Sequence, residues 1–355
     1  MPGKEIVVIG TSSGGIEALK VVASGLPRDF GASVFVVLHT APYGLGILPE
    51  ILERAGNLPA SNARDWERIE PGHIYVAPPD YHLLVERAGY MRITQGPKEN
   101  RFRPAVDPLF RSAAYAFGPR VIGVVLTGWL DDGTAGLYAV KECGGTAVVQ
   151  HPDDALAPSM PLSALKHVEV DHCVPLTEIA PLLVRLTGLP AREEGERPVP
   201  DRMETEVRIA LEDKAVDITK WGEPSLYACP ECHGVLLQLA EGRQVRFRCH
   251  TGHAYSPESL MAEMAGKTED SLWSAVRAVQ EQVLLMRRLA EHYGSNENVE
   301  NAESLLRKAA EMERNADMVR QVALTHSRRN GSKPVQAEEE AEVLRSPNVT
   351  YDSES

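Results

Sequence analysis

The sequence is poor in cysteine and aromatic residues, and it contains no long apolar run. Five cysteines among 355 residues are too few for a disulfide framework, which favours a reducing compartment. No apolar run approaches the roughly 18–20 residues that a membrane-spanning helix needs. The apolar stretch Ile6–Gly10 is too short for a signal peptide and lacks a cleavage site. These absences predict a cytoplasmic protein without membrane insertion.

Positive charge is also scarce. The chain has 37 lysines and arginines against 50 aspartates and glutamates, which gives a formal net charge of −13. This balance argues against a general nucleic-acid-binding protein. The hydrophobic fraction of 43% and the charged fraction of 25% are typical of a globular protein with a real core. At roughly 150 residues per domain, the length predicts two domains with room for a small third.

The first half of the chain alternates short β-branched runs with amphipathic helical patterns. The predicted strands are Glu5–Ile9, Ser33–Leu38, His73–Ala77, Val121–Thr127 and Thr146–Gln150. The predicted helices are Ile16–Leu26, Leu48–Ala55, Pro108–Ala116 and Thr134–Cys143. Regular alternation of this kind predicts an α/β fold with a doubly wound, mostly parallel sheet in a Rossmann-like, three-layer arrangement.

The turn after the first strand, Gly10–Gly15, fits two motifs. A dinucleotide-binding turn needs a glycine where Ser12 stands, because the backbone must approach the pyrophosphate closely. That motif also needs an acidic residue near the end of the second strand, where the sequence has His39 and Thr40 instead. Both observations disfavour a nucleotide-binding oxidoreductase.

The second motif is the nucleophile elbow Gly-x-Ser-x-Gly, centred on Ser12. A nucleophilic serine needs a base and an orienting carboxylate. His39 follows the second strand, and Asp131 and Asp132 follow the strand Val121–Thr127. Parallel strands place their carboxyl ends at one edge of the sheet, so these residues are expected to converge. Taken singly, each residue also fits a structural role in a turn or a helix cap.

Several ordered motifs carry a resemblance to a known family. They are the segments Ile9–Ala18, Val37–His39, Pro71–Pro78, Arg103–Phe110 and Leu126–Gly133. Together they resemble the catalytic domain of the chemotaxis protein-glutamate methylesterase family (CheB) over roughly residues 3–187. By this resemblance Ser12 is the nucleophile, His39 the base and Asp132, rather than Asp131, the orienting acid.

The resemblance implies hydrolysis of glutamate γ-methyl esters on chemoreceptor helices, with methanol as product and no catalytic cofactor. It also implies deamidation of receptor glutamines. The backbone N–H of Trp129 and the turn residue Ser13 fall at oxyanion or substrate positions, and Arg101 and Arg103 are candidates for attracting acidic receptor helices. Typical members carry an N-terminal receiver domain, whereas this chain begins at the catalytic strand, so regulation by such a domain in cis is not expected.

Three of the five cysteines lie within 21 residues, near a histidine. Cys229 and Cys232 form a Cys-x2-Cys pair, and Cys249 and His253 follow after a 16-residue gap. These four ligands fit a structural Zn²⁺ site, and the strand patterns between the pairs predict a zinc-ribbon-like hairpin. His250 and His233 are weaker alternatives to His253. The alternative is free thiols in a small hairpin, whereas a redox Cys-x2-Cys pair would leave Cys249 and His253 unexplained.

The last part of the chain carries two helical patterns, the first beginning after the predicted N-cap Ser256. Heptad-like apolar seams mark both helices, namely Leu272, Val276, Val279, Val283, Met286 and Ala290, then Ala302, Leu305, Ala309, Met312, Ala316, Val319 and Ala323. They predict an antiparallel helical hairpin whose seams pack on each other or form a dimer or partner interface. Cys143 and Cys173, outside the cluster, are expected to be buried and unreactive.

The predicted organisation has five parts. They are a catalytic domain (1–187), a charged linker (188–222) with a short helix over Glu204–Leu211, a ribbon segment (223–256), a helical hairpin (257–327) and a disordered tail (328–355). A second hypothesis treats the protein as a signalling adaptor that recruits partners through the ribbon segment and hairpin. The presence of serine, histidine and aspartate together favours the enzyme. Without a receiver domain, the ribbon segment and hairpin are the candidates for regulating it.

Overall fold

A computed structural model describes residues 3–191, 201–211, 218–241, 244–295 and 299–330. The strands are β1 (Ile6–Thr11), β2 (Ser33–Leu38), β3 (Ala60–Asn62), β4 (Ile74–Val76), β5 (His82–Val85), β6 (Met91–Thr94), β7 (Val121–Val125), β8 (Thr146–Gln150), β9 (His172–Val174), β10 (Glu223–Ala228), β11 (Val235–Glu241), β12 (Gln244–Cys249) and β13 (Ala254–Tyr255). The helices are α1 (Gly15–Gly25), α2 (Leu48–Ala55), α3 (Val106–Phe117), α4 (Thr134–Glu142), α5 (Ser159–His167), α6 (Leu176–Thr187), α7 (Asp201–Ala210), α8 (Pro257–Ser295) and α9 (Val299–Asn330). Two compact units divide at Leu260 and Met261.

The first unit is built on a seven-stranded sheet in the order β3-β4-β2-β1-β7-β8-β9. Every neighbouring pair in this sheet is parallel. All residues of β1, β2, β7 and β8 are buried, as expected for strands covered by helices on both faces. The predicted doubly wound parallel sheet is therefore confirmed. From β1 the chain runs to β2 on one side and later returns to β7 on the other, which makes the β1/β7 boundary a topological switch point.

Two layers of helices cover the sheet. Apolar residues of α1, α2 and α6 form one core with one face of the central strands. Residues of α3, α4 and α5 form the core on the opposite face. The short hairpin of β5 and β6 packs with this second layer, as does Met203 of α7. The helix α7 lies in the predicted linker region, of which residues 192–200 and 212–217 fall outside the described residues.

Strands β10 to β13 form an antiparallel four-stranded sheet within the first unit. Its central pair, β11 and β12, corresponds to the hairpin predicted between the two cysteine pairs, and residues 242 and 243 lie outside the described residues. The predicted N-cap is confirmed, because Ser256 Oγ accepts a hydrogen bond from the backbone N–H of Ser259 at 2.9 Å. Residues 331–355, which contain most of the predicted tail, are likewise not described.

The second unit contains the predicted helical hairpin. Arg287 of α8 pairs with Glu313 of α9, and the ring of His326 contacts the carbonyl of Ala265, so the helices run antiparallel. Every predicted seam residue from Leu272 to Ala323 is buried or half-buried. The seams therefore pack within the hairpin, and dimerisation through it stays a prediction. Among the described residues, no helix is both long and apolar enough to cross a membrane.

The two isolated cysteines differ in exposure. Cys143 is half-buried, and burial raises the pKa of its thiol to about 11. Cys173 is exposed because β9 lies at the edge of the sheet, so the prediction that both residues are buried is wrong for Cys173.

Candidate active site

The ends of the central strands bring the predicted catalytic residues together. Thr11 of β1 pairs with Leu38 of β2, so Ser12 and His39 are the next residues on two adjacent strands. On the other side of β1, the backbone N–H of Ser12 donates to the carbonyl of Thr127 at 3.0 Å. The segment after Thr127 leads to Asp132. All of these residues lie at the carboxyl edge of the sheet, at the switch point.

Ser12 lies in a tight turn between β1 and α1. The backbone N–H of Gly15 donates to the carbonyl of Ser12 at 2.8 Å. Gly14, the N-cap of α1, has φ +76°, a left-handed conformation that glycine adopts without steric cost. Ser12 is buried, and it lies just ahead of the N-terminus of α1, where the helix dipole favours negative charge. This is the local geometry that an elbow serine requires.

His39 and Asp132 form a buried pair. Nε2 of His39 lies 2.7 Å from Oδ2 of Asp132, and both side chains are almost wholly excluded from solvent. The ring of Phe102 stacks on the imidazole, with centroids 3.7 Å apart and an angle of 10° between the planes. The imidazole is thus fixed by a hydrogen bond at one edge and by an aromatic ring on one face.

Backbone and side-chain donors hold the Asp132 carboxylate. It accepts hydrogen bonds from Nδ2 of Asn100 at 2.9 Å and from the backbone N–H of Val106 at 2.7 Å, in addition to the contact with His39. Burial alone would raise the pKa of Asp132, but these hydrogen bonds and the charge interaction with His39 hold it below its ordinary value. Val106 is the first residue of α3, whose N-terminus also favours an anion. Asp132 is therefore ionised near neutral pH.

The neighbouring carboxylates have different surroundings. Asp131 has a different hydrogen-bond partner, because its Oδ1 accepts from Oγ of Ser256 at 2.8 Å. Burial raises the pKa of Asp131 to about 7. Asp107, which is held by Asn100 and the backbone of α4, has its pKa raised to about 7 by burial and by the charge of Asp132. Of the two acids considered in the sequence, Asp132 is the one beside the imidazole.

Two exposed apolar side chains lie next to the elbow turn. Gly128 lies so close to Ser12 that an added Cβ would come within 2.9 Å of the serine Cβ. The next residue, Trp129, is 49% exposed. Leu156, which is 76% exposed, packs against Gly14 of the elbow. Trp129 and Leu156 form an apolar rim beside the serine, and the role of the Trp129 N–H as an oxyanion donor stays a prediction.

The remaining predicted substrate residues are placed as follows. Ser13 is half-buried in the elbow, and its carbonyl accepts a hydrogen bond from the Thr127 hydroxyl at 2.9 Å. Arg103 is hydrogen-bonded within the domain, since its guanidinium donates to Asp80 and to two backbone carbonyls. Arg101 is half-buried with φ +80°. Substrate contact by Ser13, Arg101 and Arg103 stays a prediction.

The predicted metal ligands lie together in the ribbon segment. The ligand atoms of Cys229, Cys232, Cys249 and His253 are all within 4.8 Å of one another. Sγ of Cys232 and Sγ of Cys249 are 3.6 Å apart, and Nδ1 of His253 lies 3.5 Å from Sγ of Cys249 and 3.7 Å from Sγ of Cys229. Tetrahedral zinc with ordinary bond lengths separates its ligand atoms by about 3.6–3.8 Å. The donor set and its spacing therefore fit this metal.

Sequence reasoning missed two residues that contact the His39–Asp132 pair, Asn100 and Phe102. Both lie in the loop just before the Arg103–Phe110 motif. A single asparagine or phenylalanine in a loop follows no periodic pattern, so only the structure reveals their contacts.

Comparisons with known proteins identify relatives of about half of the chain. The family model described as CheB methylesterase matches residues 7–183. A Leptospira interrogans relative, named for protein-glutamate methylesterase and protein-glutamine glutaminase, is 41% identical over 182 residues, which cover 51% of this chain and 94% of the relative. A Rhodospirillum rubrum protein-glutamate methylesterase/protein-glutamine glutaminase 1 is 38% identical over 186 residues, which cover 51% of this chain and 48% of that protein.

A solved structure covers the same region. The crystal structure of the Thermotoga maritima CheB methylesterase catalytic domain is 34% identical, with a TM-score of 0.51, and the match covers 52% of this chain and all of that one. The chain thus spans nearly the whole of the Leptospira relative but about half the length of the Rhodospirillum one. On these matches, the chain belongs to the CheB methylesterase family.

Proposed function

We propose that this protein is a protein-glutamate methylesterase that hydrolyses glutamate γ-methyl esters on chemoreceptors, with Ser12 as nucleophile, His39 as base and Asp132 as orienting acid. The observation that carries the proposal is the buried His39–Asp132 pair, placed one strand from the elbow serine. An adaptor that only bound partners would have no use for this arrangement. The names of the relatives support the same activity.

The reaction follows from the positions of these groups. Oγ of Ser12 attacks the ester carbonyl while His39 takes its proton; because Nε2 faces Asp132, the proton passes to Nδ1. The ionised Asp132 stabilises the imidazolium, and the turn at the start of α1 faces the developing oxyanion. The acyl–oxygen bond then breaks as His39 returns the proton to the departing methoxy group, releasing methanol. Water, deprotonated by His39, hydrolyses the acyl-serine to glutamate.

The same acyl-serine allows the glutaminase activity that the names of the relatives include. With a glutamine side chain, His39 protonates the departing amine, and ammonia leaves instead of methanol. The second half of the reaction is unchanged, because both substrates give the same glutamyl ester of Ser12. A receptor-helix substrate also fits the predicted cytoplasmic location.

The proposal is tested with a chemoreceptor signalling domain methylated with an isotope-labelled methyl group. We expect the full-length protein to release labelled methanol from it in a time-dependent manner. The matched control is the same receptor with its methylatable glutamates changed to alanine before the methylation step. No release from the methylated receptors of several bacterial chemosensory systems would contradict the proposed substrate class.

The apolar rim is expected to contact the receptor helix. Truncating Leu156 to alanine removes exposed apolar area beside Ser12 without touching the His39–Asp132 pair. We expect KM to rise by about 3–10-fold with little change in kcat, since a buried leucine contributes roughly 1.5–3 kcal/mol and only part of it contacts substrate. Steady-state methanol release measures both constants. Leu162→Ala, an exposed leucine on α5, is the control and should leave both unchanged.

The ribbon segment is proposed to bind one structural Zn²⁺. Cys229, Cys232, Cys249 and His253 would be its ligands, and the Thr251 hydroxyl, 3.0 Å from Sγ of Cys232, would donate a hydrogen bond to a bound thiolate. Four protein ligands leave no open position, so this metal would stabilise the fold and take no part in the reaction. Dimerisation through the hairpin remains a separate prediction.

Elemental analysis of purified protein should give about one zinc per chain, as a single four-ligand site requires. Cys232→Ser is expected to lower the zinc content to near zero. Cys143→Ser, which changes a cysteine outside the cluster, should leave it unchanged. A ribbon segment that stays folded in metal-free protein, judged by amide hydrogen exchange, would contradict a structural metal.

A further inference from the structure

The loop 99–102 lies between the proposed catalytic pair and the ribbon segment. Asn100 in this loop donates through Nδ2 to Oδ1 of Asp132, and Phe102 stacks on His39. Asn100 has φ +49°, so the loop is held in a left-handed conformation that asparagine tolerates better than most residues. Asn100 and Phe102, two positions of one short loop, therefore contact Asp132 and His39 respectively.

The other end of the Asn100 side chain is held by the start of α8. Its Oδ1 accepts hydrogen bonds from the backbone N–H of Ser256 at 3.1 Å and from Oγ of Ser259 at 3.2 Å. Oγ of Ser256 in turn donates to Asp131, next to the orienting acid. All of these groups are buried. Nδ2 of Asn100 thus donates to the proposed acid and to Asp107, and its Oδ1 accepts from residues that directly follow the ribbon strands.

Backbone pairing joins the loop to the ribbon segment as well. The N–H of Asn100 donates to the carbonyl of Ala254 in β13 at 2.8 Å, and the N–H of Ala254 donates to the carbonyl of Lys98 at 3.3 Å. Ala254 directly follows the proposed zinc ligand His253. The loop therefore extends the edge of the ribbon sheet.

A buried ion cluster anchors the same loop. Glu99 contacts Arg111 of α3 and both Arg246 and Arg248 of β12, while Glu206 of α7 pairs with Arg248. Burial would raise the pKa of Glu99, but the three guanidinium groups hold it well below its ordinary value. Removing one member would leave buried charge uncompensated, which is strongly destabilising. Deleting the ribbon segment would therefore unfold the surroundings of Glu99, and point substitutions are the better test.

We infer that Asn100 is a positioning residue for the Asp132–His39 pair, and that the ribbon segment, Ser256 and Ser259 hold Asn100 in place. The ribbon segment is then a structural part of the active site. This inference rests on the proposed function, because it assigns a task to Asn100 in that reaction. The side chain touches no reacting atom; it orients the carboxylate that orients the base.

The test uses three variants of the full-length protein. Asn100→Gly removes the amide yet still permits φ +49°, so backbone strain is not introduced. Ser259→Ala removes the hydroxyl that donates to Oδ1 of Asn100, and Ser259→Thr retains a hydroxyl at that position. Asn57→Ala is the control, because it removes an amide that donates to the carbonyl of Leu26, remote from the site.

The first readout is the rate at which a fluorophosphonate probe labels Ser12, mapped by mass spectrometry. Asn100→Gly is expected to slow labelling by about 10–100-fold, the usual consequence of losing a hydrogen bond to a charged group. Ser259→Ala should slow it by about 3–10-fold, Ser259→Thr should restore it, and Asn57→Ala should not change it. If Asn100→Gly fails to fold, the Ser259 pair decides.

The second readout is the low-field proton resonance of the His39 ring N–H bonded to Asp132, assigned by its loss in His39→Gln. We expect it to shift or broaden in Asn100→Gly and Ser259→Ala but not in Asn57→Ala, which a general loss of stability would not produce. The inference would be overturned if Asn100→Gly were labelled at the wild-type rate and its His39 N–H resonance did not move. Neither readout needs a receptor, so a protein that labels at Ser12 but releases no methanol contradicts the proposed substrate and leaves this inference standing.

Discussion

Replacing Ser12 by alanine is expected to lower the kcat for methanol release by about 10⁶-fold, as in other serine hydrolases that lose their nucleophile. The variant removes one hydroxyl from a buried turn that is otherwise held by backbone hydrogen bonds. His39→Ala should cost about as much, and the double variant little more, because a nucleophile without its base has lost the same step. Steady-state and single-turnover methanol release measure these effects.

The fold of the Ser12 variant is the essential control. The elbow backbone bonds involve the N–H and carbonyl of residue 12, and alanine keeps both. We therefore expect the same circular dichroism spectrum and a Tm close to that of the wild type. Ser13→Ala, one position along the same turn, is the matched substitution and should retain most activity. Equal activity in Ser12→Ala and the wild type would remove Ser12 from the mechanism.

Replacing Asp132 by asparagine should cost about 10⁴-fold in kcat, less than the loss of Ser12. The carboxylate accepts from five N–H groups, on His39, Asn100, Val106, Asp107 and Gly133. An amide has only one acceptor oxygen, so its NH₂ group must face at least one of these donors. The imidazole is then driven to the wrong tautomer or turned away from Ser12. A lower kcat with an unchanged KM would show that the activity is lost in the chemical step.

Asp131 supplies the matched control for this prediction. It is adjacent in sequence and also buried, but its partner is Ser256 rather than His39. Because burial raises its pKa to about 7, an asparagine resembles the protonated form already populated near neutral pH. We expect Asp131→Asn to keep activity within about tenfold of the wild type. A loss as large as that of Asp132→Asn would contradict the distinct roles given to the two acids.

Much of the fold could be predicted because its signals are local. The β-branched runs that became β1, β2, β7 and β8 are buried on both faces, so they are continuously apolar in the sequence. Three-residue edge strands such as β3 and β9 carry no comparable pattern. The heptad seams of the hairpin could be predicted equally well, since each seam repeats along a single helix.

The sequence predicted the site only for residues that directly follow strands. Ser12 and His39 follow adjacent strands, so parallel topology alone places them together. The contact of Ser256 with Asp131 joins residues 125 positions apart, and it depends on how the ribbon segment packs in the first unit. The role of Asn100 likewise depends on its contacts with Asp132 and with the start of α8. The residues around Asn100 in the sequence do not indicate either contact. Long-range contacts of single polar residues produce no periodic pattern in the sequence.

The most direct test of the central claim is to follow the methylated glutamates of a chemoreceptor by mass spectrometry. The receptor is incubated with the wild-type protein and, in parallel, with Ser12→Ala at the same concentration. The account predicts conversion of glutamyl methyl esters to glutamates by the wild type and no conversion above the uncatalysed rate by Ser12→Ala. Esters that persist with both proteins, or that disappear equally with both, would contradict it.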